Sequence, residues 1–502
     1  MSTLRTTLAG NVRKNFVPWL LLALVTWPTL VAGRGAFGAE VWATIRFPGA
    51  ATVVFSPDSK LIALQRNDRV QVWDIKSRKQ LWAEAGAGDP MADFVARFSL
   101  PVQFSPDGAL LAIAEGYNTT AMYRRAADDV KNLRDPAAIM KAMNPTAGIQ
   151  LRGARTGTMK GRVGAEPVPG FHRWDCAMLF APDGKTILLA HFVQEAGQTL
   201  IETYDAASGK RLARAAAGGA YMLYNMAIAP DGRTLAAVVS TYALQRMGGE
   251  VAGRQGGGGP VLLALWDLPK VKQRALLPMP AKQTPMTPLL FSRDGKHLAT
   301  AGSNGVTLWD LQNGRATRTV TPEARKGTAA WRSDSVSCPF LAWRPDGVTA
   351  VLSAGMSDAG IWLCDLRART AKAVPGSGDG NSRPGGILSP SGALALTVLR
   401  QNVGEVPPKQ GKAARNPAGA NIKLRLEEEY ILWDVPSGSK LDTLKPKETG
   451  EPLIPGGDEH SIAFSPDESF VASAPGNGVV TLWNIAACRH GAPAGQEKEE
   501  GH

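Results

Sequence analysis

The sequence predicts an all-β chain built from a repeated unit of four short strands. Residues 289–315, LLFSRDGKHLATAGSNGVTLWDLQNGR, hold three apolar runs punctuated by FSRDG, Asn304-Gly305 and Asn313-Gly314. That is the pattern of strands joined by tight reversals, with a fourth strand due next. The same paragraph of sequence recurs eight times along the 502 residues, which makes the chain one repeat array rather than several unrelated domains. Glycine and proline are plentiful, at 54 and 35, as a chain with many turns requires.

The units follow in order. The first carries Phe55 and Asp58 at its first turn and closes at Trp73-Asp74. The second has Phe104 and Asp107, with a third strand expected over AMYRR, residues 121–125, which puts Tyr123 near the tryptophan position. Phe180 and Asp183 open the third, which closes at Tyr204-Asp205; Asp231 opens the fourth, which closes at Trp266-Asp267. The fifth has Phe291 and Asp294, then Thr300, and closes at Trp309-Asp310. Trp343 and Asp346 belong to the sixth, closing at Cys364-Asp365. LSPSG at 388–392 opens the seventh, which closes at Trp433-Asp434; Phe464 and Asp467 open the eighth, which closes at Trp483-Asn484.

Each position has a physical reason. In S-P-D-G, Pro presets φ at the second turn position, Asp bonds nearby amides, and Gly tolerates positive φ. The large residue before the turn packs between units. The closing Trp buries a large ring and leaves one N–H to satisfy. Thr300 is placed to accept that bond from Trp309.

FSPDG, LA and LWD in this order resemble the WD-repeat family, in particular its bacterial members, over residues 41–485. The resemblance implies a single β-propeller of four-stranded blades around a central channel, with eight blades by motif count and seven as the alternative. It also implies that an N-terminal strand closes the ring, because residues after Ile485 make a poor fourth strand for blade eight. EVWATIRF at 40–47 alternates as a strand does and fits that role. The family's tetrad uses a His before strand a and an Asp in the b–c turn. Blade five offers Asn304 and no His, and blade three offers His172 with Tyr204 in place of Trp. Packing between blades is therefore expected to carry more of the stability.

Outside the repeat, residues 1–38 read as a signal peptide, or an N-terminal anchor if uncleaved. Arg5, Arg13 and Lys14 precede an apolar run at 16–26, short of a membrane span. Val31-Ala32-Gly33 and Ala36-Phe37-Gly38 each suit a leader peptidase. The four basic residues of 1–38, with no acid among them, take the net charge from +12 to +8 in the remainder. That permits an acidic envelope polymer or protein as partner and is far from a nucleic-acid footprint. The propeller is expected over 39–486, with insertions near 126–170, 241–259 and 401–425 and a flexible polar tail at 487–502. A short helix is expected over 135–144, and disorder over 401–425. Cys176, Cys338, Cys364 and Cys488 are expected as unpaired small core residues.

Nothing rises to a catalytic site. The six histidines are scattered, with no HExxH, Walker or nucleophile-elbow pattern. GSGDGNS at 376–382 lacks the spaced acids of a calcium loop. Asn118-Thr119-Thr120 is a glycosylation acceptor only in a eukaryotic secretory route. No catalytic, cofactor or metal residues are assigned. The expectation is an exported, monomeric, non-catalytic scaffold that binds a protein partner through loops on one propeller face, with membrane contact only through an uncleaved leader. The alternatives are a hydrolase or lactonase with a site in the channel, and a cytoplasmic assembly platform anchored by the leader.

Overall fold

The computed structural model describes residues 38–47, 52–66, 69–84, 102–114, 148–164, 177–193, 198–217, 222–240, 261–280, 288–302, 305–322, 340–354, 360–375, 387–406, 423–446, 461–474 and 478–489. Their strands form eight antiparallel sheets of four. Blade five shows the plan: Leu289–Phe291, His297–Gly302, Gly305–Asp310 and Arg315–Val320 are strands a to d, side by side in chain order. Blade eight is built from both ends of the propeller. Ser461–Phe464, Phe470–Ala474 and Val479–Asn484 supply a, b and c, and Glu40–Arg46 pairs with c as strand d, with Glu40 opposite Asn484 and Arg46 opposite Val479. Eight blades closed by an N-terminal strand is therefore the architecture, and the seven-bladed alternative fails.

Apolar packing between successive blades holds the ring together. Leu298 and Trp309 of blade five pack with Leu263 and Leu265 of blade four, whereas Ala299 and Val306 pack with Ala350 and Leu352 of blade six. Adjacent residues on a strand face opposite interfaces, so strand b is covered on both sides and reads as an unbroken apolar run. In blade four that run, TLAAVVS, is buried throughout. The ring closes where Ile45, Val480 and Leu482 of blade eight meet Val53, Ile62 and Leu64 of blade one. Strands a of most neighbouring blades meet each other and line the channel. Strands d, half exposed in alternation as in Lys272–Pro278, form the rim.

Four expectations are corrected. In blade two, strand c is Ile149–Gly153 and strand d is Met159–Val163, so the third strand is not residues 121–125, which lie outside the described residues. IQLRGARTG aligns residue for residue with VTLWDLQNG of blade five, but with Arg152 in the tryptophan position. The insertion is therefore 115–148, between strands b and c, rather than 126–170. In blade seven, strands Leu394–Val406 and Lys423–Asp434 pair out to Val406 opposite Lys423, so the connection is 407–422 and not 401–425. The tail does not begin at 487. Ala486–Arg489 forms a 3-10 turn and Cys488 is buried between blades seven and eight. The insertion at 241–259, the helix at 135–144 and the leader lie outside the described residues. Among the described residues no helix is long and apolar enough to cross a membrane.

Candidate functional site

The conserved-looking residues of each repeat sit where turns and packing need them. Phe55, Phe104, Phe180, Phe291 and Phe464 are all buried. Trp343 is half-buried and its Nε1–H donates to Leu290 O at 3.3 Å, tying blade six to blade five. Asp58, Asp107, Asp294 and Asp467 accept the hydroxyls of Ser56, Ser105, Ser292 and Ser465 at 2.5–2.6 Å. Each hydroxyl also accepts a backbone N–H, as Ser105 Oγ does from Leu110 at 2.9 Å. Sequence reasoning credited the Pro, Asp and Gly of this turn and missed the serine. Asp183, Asp231 and Asp346 accept the amides of Lys185, Arg233 and Val348. After strand c, Asp74, Asp310, Asp365 and Asp434 accept the amides of Ser77, Gln312, Arg367 and Ser437, and Asp267 meets Arg274 at 3.3 Å.

Hydrogen bonds of this kind hold two of the a–b turn carboxyls below their ordinary range. The Ser105 hydroxyl and the Ala109 N–H do so for Asp107, and the Ser292 hydroxyl and the Lys296 N–H for Asp294. A carboxylate so held is a poor general base at neutral pH. Burial pushes the Cys364 thiol up to about 12; burial and then the Asp442 charge raise Cys488 to about 11. Neither thiol has thiolate character. Both are unpaired and buried, while Cys176 and Cys338 lie outside the described residues. Among the described residues no three His, Cys, Asp or Glu side chains gather as a metal site.

The end of strand c divides the blades into two chemistries. Trp309 Nε1–H donates to Thr300 Oγ1 at 3.0 Å and Trp433 to Thr397 at 2.9 Å. In blades one to three the partner instead stands two residues earlier on strand c. Trp73 donates to Gln71 at 3.0 Å, Arg152 Nε to Gln150 at 2.9 Å, and Tyr204 to Glu202 at 3.0 Å. Arg152 also reaches Gly157 O at 2.9 Å and Glu84 of blade one at 2.8 Å. The buried Glu202 meets Arg211 and Arg214 at 3.3 and 3.6 Å. Burial, and then the Glu202 charge, raises the Tyr204 pKa well above its ordinary value. Trp483 packs edge-on against Tyr430 at 5.8 Å.

Blade four has neither partner. Ala237 occupies the slot of Thr300, and the buried Trp266 Nε1–H has no acceptor among the described residues. Ala237→Thr is expected to supply one and to stabilise the chain by about 1 kcal/mol, read as a higher urea midpoint. Ala237→Val adds the same volume without the acceptor and should show no such gain; equal shifts for both variants would refute the assignment.

The two ends of the ring differ. Every a–b turn, such as 105–109 or 292–296, links its strands in five residues, and the c–d turns between described strands take four or five. The opposite end carries the b–c and d–a connections. All three long b–c segments leave from it: 115–148 in blade two, 241–260 in blade four and 407–422 in blade seven. The longer d–a links, 85–101, 321–339 and 445–460, share that end. In blade seven the b–c hairpin continues about seven residues past the length of a typical blade strand, roughly 23 Å of paired backbone.

At the turn end, strands a and a–b turns of blades five to eight line an open cavity of about 1050 Å³. Apolar walls come from Leu290, Leu341, Trp343 and Ile462. Arg293 and Arg344 line it as well, at turn positions that hold Pro and Ser or Ala in the other blades. Residues 458–484 match the family model described as WD domain, G-beta repeat. They include all three C-terminal strands of blade eight, from Ser461 to Asn484. The match and the eight-bladed ring together support a WD-repeat propeller. No curated protein matched the chain. Blade eight retains FSPD and LWN, whereas in blade two Arg152 closes strand c.

Proposed function

We propose that the chain is a non-catalytic protein-interaction scaffold, exported by a cleaved leader within residues 1–38, that binds its partner through the face bearing the b–c connections. The WD-repeat propeller supports the scaffold class. One observation carries the choice of face: all three long b–c segments leave the same end of a rigid ring whose other end is closed by turns of four or five residues. Loops borne on a rigid scaffold are where binding residues concentrate. The net charge of +8 beyond the leader favours a partner of acidic character. Ring closure pairs strand c of blade eight and leaves only the short strands d as sheet edges at the rim, which favours a monomer.

The test is affinity capture from the cell envelope with the mature chain. Replacing 241–260 and 407–422 by short turns is expected to cut recovery of the captured protein at least tenfold and to leave the thermal midpoint within a few degrees. Undiminished recovery would remove these loops from the interface.

A further inference from the structure

We infer that the leader is cut between Gly38 and Ala39, and that the new α-ammonium of Ala39 pairs with Asp442 to lock the ring-closing strand. This rests on the exported reading and goes beyond it by naming the bond and the receptor for the new terminus. The Ala39 nitrogen lies 2.6 Å from Asp442 Oδ2, on strand d of blade seven. The other carboxylate oxygen accepts the Thr443 N–H at 2.7 Å, which fixes its direction. The Ala39 side chain packs against the core shared by blades seven and eight. Glu40, the next residue, opens the pairing with strand c of blade eight. The nitrogen, its own side chain and the residue that follows are therefore all anchored.

Ala36-Phe37-Gly38 puts small residues at the third and first positions before this bond, as a leader peptidase requires. Gly38 itself lies close to the carboxylate: a Cβ there would come within 3.0 Å of Asp442 Oδ2. Cleavage adds water across the Gly38–Ala39 amide. The C–N bond breaks, the hydroxyl of water joins the Gly38 carbonyl carbon and its proton the Ala39 nitrogen; the new carboxylic acid then gives its proton to the amine, leaving a carboxylate and an ammonium. A neutral amide donor thereby becomes an ammonium facing a carboxylate, so an ion pair replaces a bond in which only the acceptor carried charge. The peptidase needs an extended substrate, so the cut precedes docking of the strand. An uncut chain can still close its ring, but with a contact in which only the acceptor is charged.

The experiment uses the chain made with its own leader and recovered from the envelope. Intact-mass and N-terminal sequencing are expected to show Ala39 as the first residue. Hydrogen exchange then reads release of the 40–46 strand: Asp442→Asn should speed it about tenfold in the mature chain and much less after Nα-acetylation, which removes the ammonium and leaves Asp442 in place. A first residue of Arg34 would overturn this inference and leave export by a cleaved leader standing. Retention of Met1 would overturn both. Equal acceleration by Asp442→Asn in the free and acetylated chains would overturn the pairing.

Discussion

A chain lacking residues 38–47 is expected not to yield a monomeric propeller. The deletion strips strand d from blade eight, so strand c loses its partner from Val479 to Asn484. Ile45 and Phe47, both buried, leave the core at the blade eight–blade one interface or its edge. Burial of each is worth about 2–3 kcal/mol. Trp42 also goes: its N–H donates to Ile75 O at 2.8 Å, its ring meets Phe470 edge-on, and the Arg78 guanidinium lies 3.9 Å from its centroid. The summed loss approaches the roughly 5–15 kcal/mol that holds a typical domain together, and the bared edge invites association. Size-exclusion chromatography with circular dichroism should find aggregate or no cooperative transition. Graded variants keep the test quantitative: Ile45→Ala is expected to cost about 3 kcal/mol and Trp42→Phe about 1 kcal/mol. A monomeric, cooperatively unfolding deletion would mean that the ring closes by other means.

Two motif departures support the same closure. Ser59 and Glu468 stand where other blades place the turn glycine, and both hold positive φ. Ser59 Oγ accepts the Asp467 N–H at 3.0 Å, and Glu468 Oε1 accepts the Ser391 N–H at 2.8 Å. Blades seven, eight and one are thus laced together at the turn end, where the chain termini of the propeller meet. The backbone cost of a left-handed side chain, about 1–2 kcal/mol, is offset by bonds that glycine cannot make.

What the sequence made legible follows from which residues have substitutes. The a–b turn depends on a narrow backbone geometry, so its Pro, Asp and Gly recur and the blade count could be read from them. The closing position of strand c asks only for a long side chain whose polar end finds a partner. Arg152 meets that demand with its stem against the core and its fork on Gln150, Gly157 and Glu84. With an aromatic residue sought for strand c, Ile149–Arg152 reads as a possible strand d, and the first insertion is misplaced. At 115–148 it shares the end that carries the other two, the face to which those two already pointed. The hydrogen-bond partners Gln71, Gln150 and Glu202 could have been found, since each precedes its closing residue by two. The Ala39–Asp442 contact could not, because it joins residues 403 positions apart.

Gly305→Ala is expected to be the most damaging single methyl in the described propeller, costing about 3 kcal/mol or more. Gly305 begins strand c of blade five with φ +97°, and a Cβ there would overlap the carbonyl oxygen of Val320. Thr321 Cα and Pro322 Cδ would lie only 2.9 and 3.0 Å away. The obstruction is backbone and ring, so relief requires strand d to move from its pairing with Val306. Gly347→Ala gives the control. Gly347 is also left-handed, at φ +64°, but no atom lies within 4 Å of the added carbon. That space exists because blade five carries Arg293 where the preceding blade elsewhere sets a proline against the glycine, as Pro230 Cδ sits 3.6 Å from a Cβ on Gly295. Only the conformational cost of about 1 kcal/mol should remain. Equilibrium urea unfolding of the two variants separates the terms: a difference of about 2 kcal/mol assigns it to the crowding of Gly305 by strand d, whereas equal losses would show that the strand yields freely and that blade five is looser than its pairing implies.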